Sequence, residues 1–194
     1  GVHIFTLTVE DTNGCIGTAT TSVTVNDNPV VAPSYNAPVC DGGSLVISAN
    51  ASGGSGTYTT YTWTKGGVVI GGETGATLTI DPADVTDNGT YGVTVEDSNG
   101  CTSTEVTVVV TIQALPVPTI NGDAAETTTE WCEGDDITLT GGGGAPGATY
   151  SWLLPDGSTQ NTAVLTINNA DKATYEGTYT LTVTEGTCVS ALDH

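Results

Sequence analysis

The chain has 194 residues, of which 22 are acidic and only 2 basic, giving a formal net charge of −20. That field repels nucleic acid and anionic membranes and excludes both as partners. No run approaches the ~20 apolar residues of a membrane-crossing helix, so membrane insertion is not expected.

In chain order, residues 1–26 read as two strands. Phe5, Leu7 and Val9 alternate with polar residues, a D-T-N-G turn follows, and Val23 and Val25 alternate again. The pattern aligns with residues 87–112, where Tyr91, Val93 and Val95 precede D-S-N-G and a V-T-V-V-V-T-I run. Residues 1–26 are therefore expected to be the C-terminal hairpin of a preceding unit, since a lone two-stranded hairpin is marginal in water. Residues 27–114 read as one complete unit, with strands at Leu45–Ile47, around Trp63, at Leu78 and Ile80, and at Tyr91–Val95. Residues 115–194 repeat the plan after the Pro116 and Pro118 linker. There Ile137 and Leu139, Trp152, Leu165 and Ile167, and Tyr179 take the corresponding places. Only V-S-A-L-D-H remains after Cys188, so this unit is expected to lack its last strand and to expose a sheet edge.

The cysteines carry the repeat. Cys15 and Cys101 end the runs E-D-T-N-G-C and E-D-S-N-G-C, and Cys188 ends the shorter T-E-G-T-C, at separations of 86 and 87 residues. Cys40 opens C-D-G-G-S-L-V-I and Cys132 opens C-E-G-D-D-I-T-L. Each full unit thus has one cysteine before an early strand and one after a late strand. The expected disulfides are Cys40–Cys101 and Cys132–Cys188, with Cys15 unpaired within the chain and its partner in an upstream unit. Registered cysteines in a chain poor in lysine point to an oxidising compartment, extracellular or at the cell surface. No charged-then-apolar leader opens the sequence, so processing, or a longer parent polypeptide, is expected.

Asp87, Gly89 and Tyr91 form D-x-G-x-Y, with Y-E-G-T-Y ending at Tyr179 as its variant. Trp63 and Trp152 precede them at a fixed place. These residues resemble the tyrosine corner and core tryptophan of immunoglobulin domains. Val93 and Leu181 stand where antibody domains carry a core cysteine. With V-C-D-G or W-C-E-G before a strand and D-x-N-G-C after one, the chain looks like the tandem Ig-like and PKD-like repeats of bacterial surface adhesins of the Bacteroidota type. The resemblance implies an all-β fold of tandem immunoglobulin-like β-sandwiches, strung like beads. It implies Trp63, Tyr91, Trp152 and Tyr179 as structural core.

The residues offer little chemistry. His3 and His194 lie at opposite ends, so no triad is expected, and the adjacent acids Asp135–Asp136 and Glu96–Asp97 would point to opposite faces of a strand. The G-G-G-G-A-P-G run at 141–147 lacks the Lys and Ser/Thr of a phosphate loop and reads as a loop between strands. No cofactor is expected. The sharpest ligand idea is calcium at Asn26, Asp27 and Asn28, where V-N-D-N-P is similar to the inter-domain calcium motif of cadherins, with Glu10 and Asp11 nearby. Trp131 is an extra tryptophan, read as cover for its neighbouring disulfide or for the linker prolines rather than as a sugar platform. Asn50 and Asn88 stand in N-x-S/T sequons. The resulting expectation is a non-catalytic structural or adhesive segment of a secreted repeat protein, a surface stalk or extracellular filament. Its partners would be other copies of itself or further repeats of the same polypeptide. The alternatives are an adhesin module binding surface glycans or protein, and an accessory domain of a secreted enzyme.

Overall fold

A computed structural model describes residues 1–125 and 128–193; His194 lies outside the described residues. Strands β1 (Val2–Glu10) and β2 (Ile16–Thr24) form an antiparallel hairpin that, among the described residues, pairs with no other strand, and every residue of both strands is exposed. This is the geometry expected of a hairpin whose apolar face, Phe5, Leu7 and Val9, has no sheet beneath it in this chain.

The middle segment contains β3 (Pro29–Val30), β4 (Ser34–Tyr35), β5 (Val39–Cys40), β6 (Leu45–Ser48), β7 (Ser52–Gly53), β8 (Tyr58–Lys65), β9 (Val68–Val69), β10 (Thr77–Ile80), β11 (Gly89–Asp97), β12 (Val106–Val110) and β13 (Ile112–Gln113). Its main sheets are three-stranded β10-β6-β4 and four-stranded β12-β11-β8-β9. The last segment contains β14 (Thr119–Ile120), β15 (Ile137–Gly142), β16 (Thr149–Leu153), β17 (Thr159–Gln160), β18 (Val164–Ile167), the one-turn helix α1 (Lys172–Tyr175), β19 (Thr180–Glu185) and β20 (Cys188–Asp193). Its sheets are β14-β15-β18 and β17-β16-β19-β20, so the three-plus-four plan repeats.

Inward residues alternate with polar ones, as a half-buried antiparallel sheet requires. In β19, Leu181 and Val183 are buried between threonines; in β15, Ile137 and Leu139 are. Trp63 pairs across the ladder with Val93, and Trp152 with Leu181; both tryptophans are fully buried. The aliphatic side chain fills the space opposite the indole that a core disulfide fills in antibody domains. Each indole N–H donates to a backbone carbonyl 3.0 Å away, Gly75 O for Trp63 and Thr162 O for Trp152. Tyr91 is fully buried with the Lys65 ammonium 5.4 Å from its ring centre, and the Tyr179 hydroxyl donates to Tyr175 O at 2.9 Å.

Two expectations need correction. The last segment does not lack its final strand: β20 pairs with β19 from Glu185↔Cys188 to Thr180↔Asp193. The stretch is too short to show a period, yet it satisfies the open edge of β19, and Leu192 packs against the core. The glycine run is not wholly a loop either, because Gly141 and Gly142 belong to β15 and pair with Ile120 and Thr119 of β14. A Cβ on Gly141 would lie 3.1 Å from Leu181, so small residues let the strands close over the core. By their contacts the described residues gather into two compact units. One comprises 1–36, 46–80 and 89–110; the other comprises 37–45, 81–88 and 111–194. The second unit thus takes β5, the turn before β11 and β13 from the middle segment.

Candidate functional site

The cysteines fall into two structural classes. At Cys15 and Cys101 the turns are the same bond for bond. The acid accepts at Oδ1 from the backbone N–H groups two and four residues on: Asn13 and Cys15 for Asp11, both at 2.8 Å, and Asn99 and Cys101 for Asp97, at 3.0 and 2.9 Å. Gly14 N–H donates to Asp11 O, and Gly100 N–H to Asp97 O. Short acids with a glycine at positive φ suit such turns, and Gly14 and Gly100 have φ of 84° and 78°. Asp97 also accepts from Ser55 N–H at Oδ2, and it is buried. Burial works to raise its pKa, but hydrogen bonds from Cys101, Ser55 and Asn99 outweigh that and hold the carboxyl below the usual range. Cys188 ends a tighter turn of the same hairpin, Glu185↔Cys188.

Cys40 and Cys132 form the second class. Gly43 N–H donates to Cys40 O and Asp135 N–H to Cys132 O. Gly42 N–H and Gly134 N–H donate to Ala83 O and Ala170 O, and the alanine N–H groups return bonds to Gly43 O and Asp135 O. The two alanines lead into equivalent capped turns: Asp84 accepts from Thr86 N–H, and Asp171 from Thr174 N–H.

The structure joins Cys40 to Cys188, with 5.5 Å between their Cα atoms, and leaves Cys15, Cys101 and Cys132 as thiols. The expected pairs Cys40–Cys101 and Cys132–Cys188 are not formed. The reason is strand length. A disulfide needs Cα atoms about 4.4–6.8 Å apart. In the last segment, Cys132 is hydrogen-bonded beside Ala170 and α1, before the start of β19, whereas Cys188 follows its end; six residues of strand span roughly 17 Å. In the middle segment, nine-residue β11 separates Cys101 from the Asp84 turn, beside which Gly42 N–H donates to Ala83 O. Sequence register identified the cysteines that correspond; it did not reveal which ends of the strands meet.

The bond lies in a small polar junction within the second unit. Strand β5 pairs in parallel with β13, Val39 with Ile112 and Cys40 with Gln113, and Asp41 N–H donates to Gln113 O. The Gln113 side-chain amide donates to Glu185 O at 3.2 Å, and the Thr187 hydroxyl lies 3.8 Å from the Cys40 sulfur. Gln113, Glu185 and Thr187 carried no signal in the sequence, because their role exists only through this contact. The Asn88 side chain accepts from Ile112 N–H and thereby fixes the approach to β13. The other sequon asparagine, Asn50, donates to Ala32 O and Ser34 Oγ.

At Cys132 the same turn stands open. Trp131 and Cys132 are exposed and belong to no strand, unlike Val39 and Cys40. They line a cleft of about 530 Å³ together with Lys172, Tyr175, Glu176 and Tyr179. Trp131 therefore covers no disulfide at Cys132. Asn26, Asp27 and Asn28 lie exposed between β2 and β3, whereas Glu10 and Asp11, expected nearby, stand at the opposite end of the hairpin, where Glu10 pairs with Ile16 and Asp11 Oδ1 accepts from its own turn. Among the described residues, no three His, Cys, Asp or Glu side chains gather at one point. His3 pairs with Val23 in the hairpin.

Residues 27–114 match the family model described as the CHU_C-associated Ig-like domain. The chain is 42% identical over 82 residues to a decoration protein of Escherichia phage T5, covering 42% of this chain and 47% of that protein. It thus spans about half the length of the curated relative it matches. Among solved structures, it is similar to the three N-terminal domains of the bacteriophage RB49 highly immunogenic outer capsid protein, with 21% identity, a TM-score of 0.47, and coverage of 86% of this chain and 57% of that one. It is also similar to extracellular domains 3–5 of Drosophila OTK, with 16% identity, a TM-score of 0.46, and coverage of 92% and 67%. The fold is all-β and immunoglobulin-like.

Proposed function

We propose that this chain is a non-catalytic structural segment of a surface-displayed repeat protein, with repeats at 27–114 and 115–194 and a further repeat's hairpin at 1–26. The observation that carries it is the Cys40–Cys188 bond, which ties one repeat to the next in place of closing either on itself. Such a covalent link, formed within the second compact unit, needs no ligand and suits a stalk or filament. The duplicated turns support the same reading: one hydrogen-bond set recurs at Cys15 and Cys101, and another at Cys40 and Cys132. The charge of −20 keeps neighbouring chains apart unless ions screen it, which favours extension by covalent repetition over self-adhesion.

A second reading rests on the relative named a decoration protein: the repeats would stand out from a virion shell rather than from a cell. Antibody raised against the chain distinguishes the two. Gold label on fibres of intact, unpermeabilised cells supports the stalk, and label on phage particles supports the shell module. Label seen only after permeabilisation would sink both.

A further inference from the structure

We propose that Cys132 and Cys101 are halves of the same inter-repeat bond that Cys40 and Cys188 complete. The pairing rule is that the early cysteine of each repeat bonds to the hairpin-turn cysteine of the repeat that follows. This rests on the tandem-repeat reading and extends it to a covalent ladder.

Three observations carry the inference. First, the turn that follows Cys132 reproduces the one that follows Cys40: Gly134 N–H to Ala170 O, Ala170 N–H to Asp135 O, and Asp135 N–H to Cys132 O. The sulfur at Cys132 is therefore presented by the same frame that presents the bonded sulfur of Cys40. Second, the structure gives Cys40 an occupant, the turn carrying Cys188, and gives Cys132 an open cleft walled by Trp131 and Tyr175. The occupant that fits is a cysteine-bearing hairpin turn of the D-x-N-G-C or E-G-T-C type from a following repeat. Third, Cys101 sits in a turn fixed by Asp97 yet remains a thiol, as does Cys15 in the matching turn. By the same rule their partners are early cysteines of the repeats preceding each of them.

Each bond forms when two thiols pass two electrons and two protons to a disulfide oxidant such as glutathione disulfide, which leaves as two glutathione thiols. The ladder has a mechanical consequence. One bond encloses a sequence separation of 148 residues, longer than the 87-residue spacing of the turn cysteines, so successive loops overlap. Between the first and last bonds of an array no residue lies outside a closed loop, and pulling cannot unravel one repeat alone.

The test joins residues 1–188 directly to a second copy of residues 102–194, which keeps the cysteine register and adds one repeat. The chain is oxidised in glutathione buffer, alkylated and mapped by non-reducing peptide mass spectrometry. The expected map is Cys40–Cys188 and Cys132 bonded to Cys188 of the appended copy, with Cys15, Cys101 and the appended Cys132 alkylated. Cys132 bonded to Cys188 of its own repeat, or alkylated while Cys40–Cys188 forms, would overturn the ladder. So would a sugar held in the cleft with Cys132 free. The 194-residue chain, mapped in parallel, guards against misfolding of the spliced one: Cys40–Cys101 or Cys132–Cys188 there refutes the rule outright. Surface labelling can succeed while this map fails, so the two readings fall separately.

Discussion

Asp97 shows how one residue sets both a turn and a pH response. Its carboxylate collects N–H groups from Ser55, Asn99 and Cys101, and these hold its pKa below the ordinary carboxylate value of about 4. The unfolded chain then binds the proton more readily than the folded one. The stabilisation is therefore complete above the unfolded value and is lost as pH falls through the lower, folded value. An Asp97→Asn variant should melt at lower temperature at neutral pH and show a flatter acid limb, read by circular dichroism from pH 7 to pH 2. An unchanged limb would show that the turn does not couple to folding. Tyr179 makes a second residue-scale case. Burial pushes its phenol pKa up, with Tyr175 and Asp156 adding to the shift, so the hydroxyl stays protonated and donates to Tyr175 O. Removing it in Tyr179→Phe should cost about 1 kcal/mol in urea unfolding.

At the scale of elements, strand pairs opposite the tryptophans hold each sandwich. Trp152→Ala should cost about 3–5 kcal/mol, and Leu181→Ala about 2–5 kcal/mol, because both side chains are fully buried and their removal leaves cavities. The double variant should cost less than the sum, since the two side chains face each other. The end of β15 is constrained differently. Gly143 has φ of 88°, and a Cβ there would meet the Val117 carbonyl oxygen at 1.8 Å. Gly143→Ala should therefore cost at least about 1–2 kcal/mol from the left-handed backbone alone, with the close approach to Val117 added. Gly147→Ala would meet nothing within 4 Å and, at φ of 99°, should show only the backbone cost. Equal losses for the two would remove the role assigned to the Val117 contact.

For the whole molecule, the junction disulfide decides how load travels. A chain pulled from its ends transmits force through Cys40–Cys188, and the 148-residue separation it spans stays out of the load path. Reduction should therefore release about 500 Å of additional contour length in single-molecule stretching, at roughly 3.4 Å per residue. A release that ignores reductant would show the bond is not in the load path. Cys40→Ser should also lower stability by about 3–5 kcal/mol, the scale set by closing so long a loop in the unfolded chain.

The class of fold, the repeat period, the buried tryptophans and the turns ending in cysteine were all legible in the sequence. These are local or periodic properties: alternation of Leu181 and Val183, an acid two residues ahead of Asn-Gly, and a cysteine at a fixed offset. The pairing of the cysteines was not legible, because recurrence shows which positions are equivalent and says nothing about which equivalent positions touch. That depended on β19 carrying Cys188 a full strand length away from Cys132 and into contact with Cys40. The last strand was missed for a related reason, since Cys188–Asp193 is too short to announce itself and exists because β19 offers an unpaired edge. Sequence determined what each unit is made of; only the tertiary structure decided that Cys40 meets Cys188, because a disulfide answers to distance and not to register.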